Sequence, residues 1–405
     1  MKDMKNVFNI AVSILFCFIV SVSVMATGWS AGVVSSAEGR TGTIQNPTAW
    51  QTPLQVEEWL SSMSLREKVG QLFFIRPEAL DLGSFENAAA KSEKAPALAL
   101  TEEMEKYFGS YPAGGIVLFG SNCVDSVQLR CFTSALHALP YRPLICVDEE
   151  GGRVLRIGGK QAFGTRRIAD MSTLASRGEV AVTDAVRYIC SYLEPLGIDV
   201  DFAPVADVNS NPDNPVIGTR AFSSDAAVAA RMVEIAVRTF LECGILPCIK
   251  HFPGHGDTST DTHKGYAASS KTWSEMLSCE MLPFRSGIQA GVPMVMISHI
   301  TAPAVDPSCV PSTFSSMLIK DKLRDELGFG GVIVTDSMGM GAVTGSYSSG
   351  EAAVLAILAG VDVVLCPLHY DEAFEAVLAA VESGRIPLAR LDESVRRILT
   401  LKFSL

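Results

Sequence analysis

From residue 54 onward the chain repeats short runs of Val, Ile, Leu and Phe, separated by longer stretches whose apolar residues return every three or four positions. The short runs have the character of strands buried on both faces, and the longer stretches that of amphipathic helices. Eight strands are predicted, at residues 71–75, 115–119, 144–147, 200–203, 246–249, 294–297, 332–335 and 361–365. Val182, Val186, Ile189 and Leu193 mark one intervening helix, and Val228, Met232 and Ile235 another. Ser224-Asp225 and Ser312 are the expected N-caps, Gly328 after Leu327 a helix stop, and residues 391–403 a closing amphipathic helix. Eight strand–helix units define an α/β fold, the (β/α)8 TIM-type barrel, here as a single domain over residues 54–405.

The chain ahead of the barrel has a different character. Two lysines in residues 1–6 precede an apolar run at residues 7–26, the pattern of an export signal. Its length approaches the roughly 20 residues that span a bilayer, so residues 1–26 are expected to be a signal peptide or a membrane anchor. Residues 27–53, rich in Gly, Ser, Thr and Ala, are expected to be a flexible linker. Residues 78–97 are polar and weakly patterned, an expected insertion or surface loop.

Composition narrows the function classes. The 405 residues are 48% hydrophobic, ample for the core of a barrel, which needs about 250 residues. A net charge of −11 with no Lys/Arg-rich run lacks the electrostatic footprint of a nucleic-acid binder. Beyond Cys17 in the export segment, nine cysteines are scattered; Cys146, Cys248 and Cys366 lie in or beside strand-like runs, as packed free thiols do. Cys243 and Cys248 lack the close pairing of a structural metal site.

Polar residues gather where strands end. Asp148-Glu149-Glu150 follows the third, Asp207 the fourth, Lys250-His251 the fifth, Ser298-His299 the sixth and Asp336 the seventh. In this barrel, loops after strand C-termini form the functional face. A lone carboxylate there is as often a helix cap, but five such ends together favour a site. His251, His255, Asp257, Asp261 and His263 are possible metal ligands, yet there is no HExxH, and Pro253-Gly254 breaks any helix that would align His251 with His255. No metal is expected.

The segment KHFPGHGDTSTDTH at residues 250–263 resembles the signature of the β-N-acetylhexosaminidase branch of glycoside hydrolase family 3. The resemblance extends over residues 54–403 through VDEEGGRVLR (147–156), DFAPVAD (201–207), IGTRAF (217–222), LPF (282–284) and LGFGGVIVTDSMGM (327–340). It implies a retaining hydrolase without cofactor, acting on N-acetylglucosamine-containing glycans or muropeptides. By the resemblance, Asp336 matches the nucleophile and His263, with Asp261 behind it, the acid/base. Asp148, Arg156, Arg220, Lys250 and His251 match residues that hold the non-reducing sugar, while His255 and Asp257 shape the loop. Ser337 departs from the family pattern, in which many relatives carry a second aspartate, and this puts the hydrogen bonding around the nucleophile in doubt. A family 3 β-glucosidase, β-xylosidase or glycoside phosphorylase, or a non-catalytic sugar-binding barrel, are the competing readings. The export segment would place the protein outside the cytoplasm.

Overall fold

The apolar runs become eight strands because each side chain in them finds protein on both faces, and every strand residue is buried. In the computed structural model, which describes residues 54–81, 95–258 and 267–405, they are β1 Phe73–Ile75, β2 Gly115–Val117, β3 Leu144–Val147, β4 Val200–Asp201, β5 Leu246–Phe252, β6 Met294–Ile297, β7 Val332–Thr335 and β8 Val364–Leu365. All neighbours pair in parallel, in the order β7-β6-β5-β4-β3-β2-β1-β8. The remaining seam closes through the bridge Val334↔Val363, where Thr335 N–H donates to Val363 O at 3.0 Å. The sheet is therefore the closed eight-stranded barrel expected from the sequence.

Each expected strand is present, with informative differences at the ends. β1 starts at Phe73 because Gln71 completes the helix Leu65–Gln71, which the capping box of Ser64 and Glu67 starts. β5 runs to Phe252, beyond the expected end, since Lys250 bridges to Val205 and Phe252 pairs with Ile297. Lys250 and His251 thus sit on the strand rather than in the loop after it.

The helices Glu179–Leu193 and Ala226–Glu242 follow the apolar periodicity. Val182, Val186, Ile189 and Leu193 are all buried. In the second helix Met232 is buried, but Val228 is 39% exposed, and the stripe facing the core runs through Ala229, Val233, Ala236, Val237 and Phe240. Asp225 caps it, accepting from the Ala227 and Val228 N–H groups. Ser312 does not cap a helix: it opens a 3-10 turn, and the wide-turned π-helix Met317–Glu326 takes its side-chain hydrogen bond from Ser315, whose Oγ accepts from Leu318 N–H. Gly328, at φ 70°, stops that helix as expected. The closing helix is Leu388–Lys402.

The segment expected as a surface loop is partly built into the fold. Pro77–Leu80 form a buried 3-10 turn, and Glu78 Oε1 accepts from Asn122 Nδ2 at 2.6 Å and from Ala97 N–H at 3.0 Å. Residues 82–94 of that segment, like residues 1–53 with their export and linker expectations, lie outside the described residues. No helix among the described residues is long and apolar enough to cross a membrane. All nine cysteines in the described residues are free.

At the amino end of the barrel, Asp362 secures the β7–β8 seam. Its buried carboxylate accepts from Ile333 N–H at 2.9 Å, Ser394 Oγ at 2.6 Å, Arg324 at 2.5 Å and Arg397 at 3.0 Å, with Arg390 at 3.5 Å. Replacing Asp362 with Ala strands buried guanidinium groups and is expected to cost about 3–5 kcal/mol. Urea unfolding of the variant should show the loss as a lower midpoint at unchanged slope; a midpoint equal to wild type would refute the clamp.

Candidate active site

Three consecutive acids at the end of β3 divide their work by the alternation of an extended chain, in which residues two apart face the same side. Asp148 and Glu150 face a cavity of about 1110 Å³ at the carboxyl ends of the strands, and both receive Lys250 from β5. The Lys250 ammonium donates to Asp148 Oδ1 at 2.8 Å and lies 2.6 Å from Glu150 Oε1. Asp148 Oδ2 also accepts from Arg156 at 3.0 Å, and Arg220 forks onto both oxygens of Glu150, at 2.8 and 2.7 Å.

Burial alone would raise both carboxyl groups, but Lys250 with Arg156 holds Asp148, and Lys250 with Arg220 holds Glu150, below the ordinary carboxylate value. Desolvation pulls Lys250 the other way, and Asp148 with Glu150 overcomes it, so the ammonium stays charged. Arg156 Nε–H is buried with no hydrogen-bond partner.

Glu149, between them, points away from the cavity and is fully buried. Its carboxylate accepts from the backbone N–H groups of Arg156 at 2.6 Å, Ile157 at 3.1 Å and Gly158 at 2.5 Å, and from Tyr192 Oη at 2.7 Å. This draws the loop back on itself and carries the Arg156 guanidinium to Asp148.

On β5, His251 Nδ1 lies 2.7 Å from Asp207 Oδ2, and Arg220 approaches its Nε2 at 3.4 Å. The Asp207 carboxylate only accepts, so Nδ1–H donates to it. Asp207 Oδ1 takes the His255 N–H at 2.6 Å. Burial lowers the His255 imidazole below its ordinary value despite Asp207. Beyond it the chain threads closely: a Cβ on Gly256 would stand 1.8 Å from Val208 O, so only glycine fits. Asn214 Nδ2 donates to His255 O and Thr258 O, both at 2.8 Å, and Lys271 reaches Glu280 at 2.5 Å and Asp257 at 3.3 Å. Asp257 therefore anchors the loop stem, whereas Asp261 and His263 lie outside the described residues.

Asp336 follows β7, its N–H bonded to Ile297 O at 2.7 Å. Its Oδ1 accepts the Ser337 N–H at 2.7 Å. Burial would raise the carboxyl, but His251, His299, the Ser337 N–H and Lys250 hold it below its ordinary value. His299 Nε2 lies 3.0 Å from the Ser337 carbonyl, which only accepts, so Nε2 carries the proton. These bonds of Ser337, and the one its carbonyl accepts from Met340 N–H at 3.1 Å, are made by its backbone, so the missing aspartate leaves this part of the support intact.

The structure thus brings Asp148, Arg156, Arg220, Lys250, His251 and Asp336 to one cavity. Sequence reasoning left Glu150 and Asp207 out of the site although it noted both positions; the i,i+2 spacing of Asp148 and Glu150 was the available signal. It also missed the walls from β1, β2 and β8, where Arg76 stacks 4.5 Å over Phe119 and Leu368-His369 line the cavity. Among the described residues no cluster of His, Cys, Asp and Glu has a metal-binding arrangement.

A closed parallel barrel with a cluster of paired charges and a charge-held aspartate at its strand C-termini has its functional groups where barrel enzymes carry theirs. The glycosyl hydrolase family 3 N-terminal domain matches residues 64–401, and the chain belongs to that family. It is 34% identical to β-hexosaminidase A of Pseudoalteromonas piscicida over 333 residues, 76% of this chain and 56% of that protein. With the β-hexosaminidase of Stenotrophomonas maltophilia strain K279a it shares 37% identity over 294 residues, 69% of this chain and 84% of that one. The solved structure of a family 3 β-N-acetylglucosaminidase from Paenibacillus sp. str. FPU-7 superposes with a TM-score of 0.76 at 36% identity, covering 85% of this chain and 63% of that one. The chain thus spans less than two thirds of the Pseudoalteromonas and Paenibacillus proteins.

The Lys250 pairing makes a pH-dependent contribution to stability. Glu150 titrates below 4.5 in the folded state, so its stabilisation is fully present above the unfolded value and is lost as pH falls through the lower folded one. Lys250→Met should cost about 3–5 kcal/mol at neutral pH. In urea titrations the deficit should shrink near about pH 4 as the freed carboxylates protonate; an equal deficit at both pH values would count against the pairing.

Proposed function

We propose that this chain is a retaining β-N-acetylhexosaminidase that removes non-reducing terminal β-linked N-acetylglucosamine from peptidoglycan fragments outside the cytoplasm. The observation that carries the reading is the buried Asp336 carboxylate, kept ionised at the wall of a cavity that also holds the Asp148–Lys250–Glu150 cluster. The names of the Pseudoalteromonas and Paenibacillus relatives support the sugar class.

In this reading Asp336 attacks the anomeric carbon as the glycosidic bond breaks, and His263 protonates the departing oxygen. His263, oriented by Asp261, then takes a proton from water, which attacks the same carbon and releases Asp336. Asp148, Arg156, Lys250, Arg220 and His251 hold the sugar. Lys250 has three N–H donors and spends two on Asp148 and Glu150, which leaves one for a hydroxyl group. Export rests on the sequence of residues 1–26, as signal peptide or anchor, with 27–53 as tether.

Asp336→Asn should lower kcat by several orders of magnitude while the circular dichroism spectrum and melting temperature stay near wild type. A mechanism-based fluoro-sugar that keeps the 2-acetamido group should label Asp336 by peptide mass mapping; labelling of another carboxylate removes the assignment.

The substrate class is tested with aryl β-glycosides differing only at the second carbon of the sugar. Turnover of the N-acetylglucosaminide should exceed that of the glucoside by at least about a hundredfold, as a site built to bond the acetamide requires. Equal or faster glucoside cleavage would overturn the N-acetyl specificity.

A further inference from the structure

Ser337, the residue after Asp336, is held from two sides. Its N–H donates to Asp336 Oδ1 at 2.7 Å, and its carbonyl lies 3.0 Å from His299 Nε2. His299 follows β6 and is fully buried. Its other ring nitrogen, Nδ1, lies 2.7 Å from Thr313 Oγ1. The chain returns to His299 at this point because Thr301 bridges to Pro311, and Ser312 bonds to the Ile300 carbonyl through its N–H at 2.8 Å and its Oγ at 2.7 Å.

The hydrogens along this chain of groups can be counted. Ser337 O and Ser298 O, at its two ends, are carbonyl oxygens and only accept. Thr313 Oγ1 stands 3.0 Å from Ser298 O, which belongs to a fully buried residue and takes no other hydrogen bond among the described residues. A buried carbonyl is rarely left without a donor, so the single hydroxyl hydrogen of Thr313 goes to it. Thr313 Oγ1 then has only lone pairs to offer His299, and Nδ1 supplies the hydrogen of the 2.7 Å contact. Nε2 supplies another to Ser337 O. A ring with hydrogen on both nitrogens is an imidazolium.

A buried cation needs a counter-charge, and the Asp336 carboxylate after β7 provides it. Burial works against the Asp336 charge, whereas His251 of β5, His299 and Lys250 of β5 favour it.

We propose that His299 is a positioning residue for Asp336 that carries a hydrogen on both ring nitrogens and so presents a fixed positive charge to the carboxylate. Thr313 maintains that charge by accepting Nδ1–H while its own hydrogen is committed to Ser298 O. The kinetic part of the proposal rests on the reading of Asp336 as nucleophile. In that reading Asp336 loses its charge on joining the anomeric carbon and regains it on release, and a neighbouring cation favours the free, ionised state.

The test uses the full chain with isotope-labelled histidine, of which it has six. Thr313→Val, close in shape but without the hydroxyl, identifies the His299 ring by nuclear magnetic resonance as the one whose signals change. At about pH 8, above the ordinary histidine value of about 6.5, that ring should carry hydrogen on both nitrogens in the wild type. In Thr313→Val it should be neutral, with hydrogen on Nε2 alone, and in Thr313→Ser, which keeps the hydroxyl, it should stay charged. In the pH dependence of kcat/KM on an aryl β-N-acetylglucosaminide, the acid limb of Thr313→Val should move up by about one pH unit, because Asp336 holds its proton more tightly without the cation. Thr313→Ser should keep the wild-type limb. A neutral His299 in the wild type, or signals identical in wild type and Thr313→Val, overturns the proposal. An acid limb that stays in place once the charge is lost overturns the action on Asp336. A wild type that cleaves no such glycoside overturns the hexosaminidase reading, while the resonance measurement still decides the charge on His299.

Discussion

The functional face depends on one buried cation. The Lys250 ammonium, almost fully shielded from water, is shared by Asp148 and Glu150 and so ties the end of β3 to β5 across intervening β4. Burying any one of these charges alone would be prohibitive. Together with Arg156 and Arg220 they form a lattice of alternating sign in which each charge permits the next. Its field reaches Asp336, where Lys250 helps to keep the carboxyl ionised despite complete burial.

The backbone adds specificity to this lattice. Alternation along an extended chain sends Asp148 and Glu150 into the cavity and Glu149 beneath it, so neighbouring acids of similar chemistry perform unlike tasks. Two bind cations, and one folds the following loop by collecting amide hydrogens. Asp207 works in the same manner on β5, taking a ring N–H from His251 and a backbone N–H from His255. The pocket is therefore held by carboxylates that never face it as much as by those that do.

Much of this was legible in the sequence, for physical reasons that can be named. Strands such as Leu144–Val147 and Val332–Thr335 announce themselves because burial on both faces demands unbroken apolar runs. β5 was read short because Lys250 and His251 are polar where the ladder continues, their side chains being satisfied by partners 102 and 44 positions away. Ser312 looked like a cap, but a 3-10 turn intervenes and Ser315 takes the role. The charged cluster was visible as residue types at strand ends, whereas its pairing was not, since nothing local specifies that Glu150 meets Arg220. The burial of Glu78 was equally hidden, because its partner Asn122 belongs to a different strand–helix unit. The acid/base role of Asp261 and His263 came through the resemblance, and both lie outside the described residues.

The Asp362 clamp and Asp336 occupy opposite ends of the same barrel seam, one before β8 and the other after β7. Strength and chemistry are thereby allotted to separate poles joined by a few apolar strand residues. Such a layout lets the two properties vary independently over generations: the floor can be hardened for heat or protease resistance while the opposite end drifts toward new ligands. An engineer inherits the same freedom, with Arg324, Arg390, Ser394 and Arg397 as the neighbourhood to rework for durability and the far pole left untouched.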